Sequence, residues 1–305
     1  MSKGIFLGLN TIDIQFLIEN YPVANTKTKA VDKDIHLGGP ATNAAITYAF
    51  LGGEPLLLTD IGKNLFSVFI GNELAHYDVQ FEDLSPEYTG LPTFASVLTS
   101  RNNGDRTIFS YHPDGKHYDI NILKSIQLEN FQFVLLDGFH ADISIALAKK
   151  ARKQGIPVIL DGGSWKEHTE ALLPYVDMII CSDDFYPPGI NNKMELFSFL
   201  GSKFSIKKTA VSRGHQNILF SEDHKNIREI SVKPVSAKDT LGAGDIFHGA
   251  FCYFFNEGMN FENALLKASE VATFSCSYLG TKKWMEHYSN DHYSNTSSIS
   301  KSKSS

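Results

Sequence analysis

Cysteine is scarce in this sequence. Its 305 residues include only three cysteines, and none of them belongs to a Cys-x-x-Cys pair. Cys181, Cys252 and Cys276 each lie in an apolar stretch, which is typical of reduced, packed thiols rather than of disulfides or metal ligands. The first ten residues also lack the long apolar core of a signal peptide. We therefore predict a cytoplasmic protein.

Two further absences narrow the class of protein. No stretch of the chain approaches the roughly 18 consecutive apolar residues of a membrane-spanning helix, so we predict no membrane partner. The formal net charge is -6 and no long run of Lys and Arg occurs, which argues against a nucleic-acid partner. The hydrophobic content of 42% instead favours one large globular domain over a disordered chain.

Short apolar runs recur along the chain and alternate with helical patterns. The runs lie at residues 5–9, 55–59, 133–137, 157–161, 178–181 and 209–212. Residues 141–155, between two of these runs, read as a helix that stops at Gly155 and Pro157. Buried strands that alternate with helices indicate βαβ units. We therefore predict an α/β fold with a doubly wound, mostly parallel sheet flanked by helices.

Two segments do not fit the interior of such a sheet. Residues 93–111 read as two strands joined by Asn102-Asn103-Gly104-Asp105, a turn that favours a hairpin, and residues 30–39 form another short strand candidate. We predict that parts of 10–39 and 92–112 form a small β lid; a surface hairpin without function is the alternative. Residues 1–283 then form one domain, and the Ser- and Asn-rich residues 284–305 form a disordered tail.

The stretch KDTLGAGDIFHGAF, residues 238–251, places glycines and aspartates before a strongly apolar segment. Residues 246–255 are apolar nearly all round, which predicts a buried helix that begins near Gly244. Glycines before a helix let backbone N–H groups point into one concavity, where the helix dipole also favours an anion. Asp245 would lie beside that anion, where a carboxylate can take the proton of an attacking hydroxyl.

Neither of two better-known phosphate loops matches this stretch. The GxGxxG fingerprint fails because Phe247 stands where its last glycine is required, and GxxxxGK followed by Ser or Thr occurs nowhere in the chain. Residues 239–245 and Phe247 instead resemble the C-terminal signature of the ribokinase (PfkB) family of carbohydrate and nucleoside kinases. The resemblance implies that Asp245 is the catalytic base, that the amides of Gly242, Ala243 and Gly244 form the anion hole, and that Asp239 lies near a monovalent cation, K⁺.

The substrate side of the site is also indicated by this resemblance. Gly38-Gly39 followed by Asn43 is similar to the N-terminal signature of the family, so Gly39 and Asn43 are expected to contact the sugar. Asp13 reads on position alone as a surface acid after the first strand, but the resemblance implies that it binds substrate. Arg106 is similar to a lid residue that closes over the sugar; a solvated arginine is the alternative.

The nucleotide side departs further from the family. Residues 211–220 are similar to the strand and turn near ATP, which implies that Ser212 and Gly214 approach the nucleotide, although the usual second glycine is replaced near Asn217. Lys166 follows a strand end and either reaches a phosphate across the cleft or is a solvated lysine. Sequence alone leaves both readings open.

The family's Asn-x-x-Glu motif, which organises Mg²⁺, is degenerate in this chain. Ser182 and Phe185 stand at its two positions. Asp183 and Asp184 lie nearby and either substitute for the missing groups or serve as turn residues. How magnesium is held is therefore left open by the sequence.

These features together predict an ATP- and Mg²⁺-dependent kinase that phosphorylates a sugar hydroxyl, with K⁺ as a further cofactor. A nucleoside kinase is one alternative, for which Phe16, Phe94 and Phe109 are available to contact a base. A catalytically silent member that binds ligand is another; the degenerate magnesium motif favours it and the retained Asp245 argues against it. An exposed lid sheet also favours a homodimer formed through the lid.

Overall fold

The computed structural model of the protein describes residues 2–102, 104–113, 116 and 118–288. Asn103 of the predicted hairpin turn and residues 289–305 of the predicted tail lie outside the described residues. No helix in the described part of the chain combines the length and apolarity that a membrane crossing requires.

A nine-stranded sheet forms the centre of the fold, in the order β13-β12-β11-β10-β9-β8-β1-β4-β5. All pairings from β11 to β5 are parallel, and β12 and β13 add to one edge in antiparallel fashion. The strands are β1 (Lys3–Leu7), β4 (Glu54–Thr59), β5 (Gln80–Asp83), β8 (Phe133–Leu136), β9 (Val158–Gly162), β10 (Met178–Ser182), β11 (Lys208–Arg213), β12 (Gln216–Ser221) and β13 (Arg228–Ile230). The predicted α/β class with a mostly parallel sheet is confirmed.

Helices cover both faces of this sheet. They are α1 (Pro40–Phe50), α2 (Ser67–His76), α3 (Ala141–Lys153), α4 (Thr169–Leu172), α5 (Lys193–Phe204), α6 (Ala243–Asn256) and α7 (Phe261–Ser275). Strand β1 shows how the faces divide, since Phe6 packs in the core beneath α1, α6 and α7, whereas Ile5 and Leu7 pack beneath α3 and α5. Alternate side chains of a strand point to opposite faces, so a strand covered on both sides is apolar throughout.

A second, four-stranded sheet lies over the carboxyl ends of the large sheet, in the order β3-β2-β6-β7. Its strands are β2 (Thr11–Ile18), β3 (Asp32–Gly38), β6 (Phe94–Ser100) and β7 (Arg106–Tyr111). The hairpin of β6 and β7 and the strand β3 lie where the sequence indicated lid strands. Alternate residues of β7, among them Arg106 and Ile108, face the cleft between the two sheets.

Helix α6 lies deep in the domain, as its apolar sequence predicts. Its contact with α1 depends on Gly249, because a Cβ atom at that position would lie 2.3 Å from the carbonyl oxygen of Ala44. The absence of a side chain lets the two helices approach closely. This approach brings the start of α6, which carries Asp245, next to the start of α1, which carries Asn43.

The packed part of the chain continues beyond residue 283, where the sequence placed its end. Residues Lys283–His287 form a short 3-10 helix. Within it, Trp284 is completely buried (0% exposed), its ring contacts Phe50 with centroids 5.1 Å apart, and its indole N–H donates to the carbonyl of Thr281 at 2.9 Å. The predicted boundary at 284 is therefore too early, since one buried tryptophan anchors the residues around it.

Candidate active site

A cleft of about 430 Å³ lies between the carboxyl ends of the parallel strands and the small sheet. In open α/β sheets, ligands bind outside the carboxyl ends of the strands. The walls of this cleft bring together most of the residues singled out from the sequence. They include Asp13, Gly39, Asn43, Arg106, Lys166, Ser212, Gly242, Gly244 and Asp245.

The glycine loop leads directly into helix α6. Gly242 has a left-handed backbone, with φ of 67°, and precedes the first helical residue Ala243. Gly244 faces open space, because a Cβ atom added there would meet no heavy atom within 4 Å. The Ala243 amide differs from its neighbours, because it donates to the carbonyl of Thr240 at 3.3 Å within the loop itself. An anion at this helix end would therefore face the amides of Gly242 and Gly244 first.

Asp245 lies in the first turn of α6 and opens onto the cleft. Its Oδ2 accepts a hydrogen bond of 2.8 Å from Nδ2 of Asn43. Burial, followed by the nearby carboxylate of Asp161, raises the pKa of Asp245 to about 7, against the opposing effect of the hydrogen bond from Asn43. A carboxylate whose pKa lies near neutrality is suited to accept and return a proton at physiological pH.

His248 lies one turn after Asp245 and has two different acceptors at its two ring nitrogens. Nδ1 lies 2.7 Å from the carbonyl of Gly244 and 3.5 Å from Oδ2 of Asp161, and Nε2 lies 3.2 Å from the carbonyl of Ile180. Burial raises the pKa of Asp161, and His248 opposes this. The sequence did not identify His248, because a histidine inside an apolar helix is more often a core residue.

Asp13 lies on β2, with its carboxylate turned toward the cleft. The hydroxyl of Thr11 donates to Oδ1. On the neighbouring strand, Gly38 leaves the necessary room, since a Cβ atom there would lie 2.1 Å from Oδ2. His36 lies directly opposite Asp13, and its Nε2 is 3.8 Å from Oδ2. Burial raises the pKa of Asp13 and lowers that of His36 to about 3, so His36 is neutral.

Gly39 holds the turn between β3 and α1 against the first strand. Its φ is 98°, and a Cβ atom would lie 2.2 Å from the carbonyl oxygen of Leu9. Asp137 fastens the same corner, because Oδ2 accepts the backbone N–H groups of Leu9 at 2.8 Å and of Ala41 at 3.3 Å. The Gly38-Gly39 pair therefore removes side chains at two points where the backbone and Asp13 approach closely.

Arg106 and Lys166 reach the cleft from opposite sides. Arg106, on β7 of the small sheet, donates from Nη1 to the hydroxyl of Thr240 in the glycine loop. Lys166 lies beyond β9, and its Nζ is 4.4 Å from the centre of the Phe139 ring and 3.4 Å from the carbonyl of Asp137. Both cations line the same cleft, so both are available to an anionic ligand.

Asp239 is occupied by hydrogen-bond donors. Its Oδ1 accepts the N–H of Leu241 at 2.9 Å, and its Oδ2 accepts the N–H of Gly280 at 2.9 Å and Nε2 of Gln15 at 2.7 Å. These three N–H groups tie the glycine loop to the small sheet. An ionised carboxylate has about four lone-pair sites, so they do not exclude a cation. The monovalent cation near Asp239 stays a prediction, and we derive no step through such an ion.

The nucleotide-side residues are only partly brought together. Ser212 lies at the end of β11, lines the cleft and donates to the carbonyl of Cys181 at 3.3 Å. Gly214 occupies the exposed turn that follows, with φ of 60°. Among the described residues, Gly214 is not part of the cleft wall, so its predicted approach to the nucleotide stays a prediction.

The degenerate magnesium motif has a structural explanation. Phe185 is 1% exposed and packs against Trp165, with ring centroids 5.5 Å apart, so its position belongs to the core. Asp183 pairs with Lys193 at 3.0 Å, and only Ser182 of this segment lines the cleft. No group of three or more His, Cys, Asp and Glu side chains in the described part of the chain could hold a metal ion. Asp183 therefore does not substitute for the missing glutamate.

Lys282 is a site residue that the sequence did not reveal. Its ammonium is enclosed by the carbonyl of Leu37, the hydroxyl of Thr281 at 2.8 Å and Oδ1 of Asn43 at 3.2 Å. Burial lowers the pKa of Lys282 to about 8, which nearby carboxylates oppose. The adjacent Lys283 is exposed, and two consecutive lysines give no signal in the sequence as to which of them turns inward.

Comparisons with known proteins identify the family and the fold of the chain. The family model described as pfkB family carbohydrate kinase matches residues 2–287. The chain is 20% identical over 287 residues to ketohexokinase of Mus musculus, which covers 90% of this chain and 96% of the relative. It is 22% identical over 295 residues to ribokinase of Lactococcus lactis, covering 93% and 94%. The solved structure of ribokinase from Giardia lamblia has the same fold, with a TM-score of 0.81 at 16% identity over 93% of this chain and 96% of that chain.

Proposed function

Because the chain belongs to the pfkB family of carbohydrate kinases, we propose that it transfers the γ-phosphate of ATP to a hydroxyl group of a sugar. One observation supports the proposed mechanism. A carboxylate with a pKa of about 7, Asp245, stands beside the start of a buried helix and faces the same cleft as Asp13. A base and an anion site are thus placed next to a group that can bind hydroxyls.

The reaction begins with the sugar bound to Asp13. This carboxylate accepts hydrogen bonds from sugar hydroxyls, while the Thr11 hydroxyl holds its other oxygen in place. Asn43 donates one N–H to Asp245 and keeps a second N–H for the substrate. Asp245 then takes the proton of the attacking hydroxyl as its oxygen bonds to the γ-phosphorus, and the bond to the ADP oxygen breaks.

The start of α6 would stabilise the negative charge on the transferred phosphoryl group. Gly242 and Gly244 lie at the start of α6 and line the cleft, so their amides would be available to the phosphate, and the helix dipole adds partial positive charge there. Arg106 reaches the glycine loop from the small sheet and donates a hydrogen bond to Thr240, so its charge lies beside the same anion site. Positioning and charge stabilisation provide most of the rate in phosphoryl transfer, so this arrangement suits the proposed reaction.

ATP would lie along the carboxyl ends of β9, β10 and β11. Lys166 and Ser212 line that part of the cleft and are the groups available to its phosphates. When bound, Mg²⁺ would neutralise phosphate charge, and Asp161 is the cleft carboxylate that would face it from the protein. Asp161 fits this role because it lines the cleft at the carboxyl end of β9, in the part of the cleft where the phosphates would lie.

A nucleoside is the second candidate for the phosphate acceptor. Among the described cleft residues, none of Phe16, Phe94 and Phe109 appears, so they do not form a pocket for a base. A different pair favours this candidate: Phe139 and His112 both line the cleft and stack with ring centroids 5.8 Å apart. Stacked rings can cover the face of a base as well as that of a sugar.

We also propose that the protein forms a homodimer through the outer face of the small sheet. Ile35 of β3 and Phe109 of β7 lie in one cross-strand row that includes Ile14, and Tyr111 follows on the same face. Ile35, Phe109 and Tyr111 are all exposed. Ser96 also lies in this row, between Ile14 and Phe109, and burial of the apolar side chains on either side of it would favour association. Phe109→Asp should convert a dimer into a monomer in size-exclusion chromatography with light scattering; a wild-type monomer would refute the proposal.

The function is tested by measuring ADP release from ATP and Mg²⁺ across a panel of sugars and nucleosides. We expect turnover with a sugar, and a loss of about 10²- to 10⁴-fold in kcat for Asp245→Asn, because a general base is removed. Asp223→Asn, an exposed acid of the β12–β13 turn, is the matched control and should keep full activity. Turnover with nucleosides alone would show that the phosphate acceptor is a nucleoside and not a sugar. Binding of ATP without any turnover would support a catalytically silent protein.

A further inference from the structure

The contacts of Lys282 decide how the side chain of Asn43 is oriented. A lysine ammonium has three N–H donors and no acceptor, so the atom of Asn43 that faces it must be the amide oxygen. Oδ1 indeed lies 3.2 Å from Nζ of Lys282. The amide nitrogen must then point the other way, where it donates to Oδ2 of Asp245 at 2.8 Å. A chain of two directed hydrogen bonds thus links Lys282 to Asp245.

We propose that Lys282 is a positioning residue for the catalytic base, because it orients Asn43 so that the amide N–H of Asn43 holds the Asp245 carboxylate toward the acceptor hydroxyl. The inference rests on the proposed role of Asp245. If Lys282 were absent, only Asp245 would select the orientation of the Asn43 amide. The amide could then rotate by half a turn whenever Asp245 is protonated, because a protonated carboxyl can donate to the amide oxygen.

Lys282 acts through Asn43 rather than on the substrate. All three of its donors are engaged, by the Leu37 carbonyl, the Thr281 hydroxyl and Asn43. Lys282 is also absent from the described wall of the cleft, which Asn43 and Asp245 line. A change at Lys282 should therefore lower kcat and leave KM for ATP nearly unchanged, whereas KM for the acceptor should rise by no more than loss of the second Asn43 N–H accounts for.

The charges around these groups set the direction of the pH dependence. Asp13, Glu73, Asp245 and Asp34 face Lys282 and favour its charged form, and His36 and Lys283 lie close on the β3 side. The groups that face Asp245 are Asp161, His248, Asp13 and Asn43, together with Lys282 itself. Removal of the Lys282 charge takes away a cation near Asp245, so it should raise the pKa of Asp245.

The wild-type enzyme should consequently show two limbs in its pH profile. The kcat/KM should rise as Asp245 ionises at about pH 7 and fall as Lys282, whose pKa burial lowers to about 8, loses its proton, because kcat/KM reports on the free enzyme. A neutral amine has a lone pair that can accept the Asn43 N–H, so deprotonation removes the constraint on the amide. The descending limb therefore reports on Lys282.

The experiment compares Lys282→Gln, Lys282→Arg and the matched control Lys283→Gln, with kcat and KM measured from pH 5.5 to 9.5. Lys282→Gln should lose about 10- to 100-fold in kcat, because small misplacement of a reacting group has costs of this size. Its descending limb should disappear. Lys282→Arg should retain more activity and move the descending limb to higher pH, since arginine stays charged. Lys283→Gln should match wild type in both limbs.

Further measurements separate this inference from the proposed function. The ¹³C carboxyl resonance of Asp245, followed by NMR in folded protein, should titrate at higher pH in Lys282→Gln than in wild type. This result would support the positioning role even if no acceptor is turned over. In an Asn43→Ala background, Lys282→Gln should lower kcat no further. Unchanged kcat, an unchanged descending limb and an unchanged Asp245 titration in folded Lys282→Gln would overturn the inference.

Discussion

Asp245→Asn should stabilise the protein while it removes activity, and the size of the stabilisation should grow with pH. Burial raises the pKa of Asp245 from 3.8 to about 7 in the folded state. Between these values the unfolded chain has lost the proton that the folded chain still holds. The wild-type free energy of unfolding therefore falls as pH rises through this window and becomes level above about pH 7. An asparagine at 245 has no such loss, and its amide oxygen can still accept the Asn43 N–H.

The size of the stabilisation follows from the pH range between the unfolded and folded pKa values of Asp245. One proton corresponds to about 1.4 kcal/mol per pH unit, so the stabilisation by Asp245→Asn should increase by about 2 to 3 kcal/mol between pH 5 and pH 8. Solvent at the cleft mouth moves the result toward the lower figure. The contributions of all other titrating groups cancel, because they are common to both proteins.

Urea unfolding at pH 5, 6, 7 and 8 measures this difference, with the fluorescence of the chain's two tryptophans as the probe. Asp223→Asn is the control. Backbone N–H groups of Asn226 and Lys225 lower the pKa of Asp223, so its stability contribution is lost only below pH 3.8. Its effect should therefore be constant from pH 5 to 8. A constant or decreasing effect of Asp245→Asn would refute the raised pKa and with it the argument for a base near neutrality.

Three further substitutions test other parts of the structure. Gly39→Ala should destabilise the protein by about 2 kcal/mol or more in urea unfolding, because φ is 98° and the Cβ would lie 2.2 Å from the Leu9 carbonyl; an unchanged midpoint would contradict this packing. Gly244→Ala should leave stability within about 1 kcal/mol but weaken ATP binding or kcat, since its Cβ enters open space where a phosphate would lie. Trp284→Ala should lower the free energy of unfolding by about 3 to 5 kcal/mol through lost packing on Phe50. An effect well below this range would support the domain end predicted at residue 283.

Local sequence predicted the elements of the fold well. Runs such as residues 133–137 and 157–161 contain enough consecutive apolar residues to predict strands buried on both faces, and β8 and β9 lie there. Glycine before a long apolar segment likewise predicted the start of α6, because helix entry and left-handed backbone are local properties. Trp284 escaped this reasoning, since a single apolar residue beside a polar tail gives no periodic pattern.

Only those site residues that lie in recognisable motifs could be predicted from the sequence. Asp245, Asn43 and Asp13 come from stretches with distinctive glycines, and the fold places all three on one cleft. Ala243 and Asp239 show what the motif alone does not predict, namely the hydrogen-bond partners of its residues. Both belong to the same motif, yet the Ala243 amide is bonded within its own loop and the Asp239 carboxylate accepts N–H groups from Gln15 and Gly280 in distant segments.

What the sequence alone determined is the α/β layering, the helix start at the glycine loop and the acid that stands there, because these depend on neighbours within a few residues. Only the tertiary structure decided which groups surround that acid. Lys282 and Asn43 are 239 positions apart, and Asn43 and Asp245 are 202 apart, so their contacts exist only once α1, α6 and the chain end pack together. The same packing removes much of the solvent around Asp245 and thereby raises its pKa, an effect that no local pattern records.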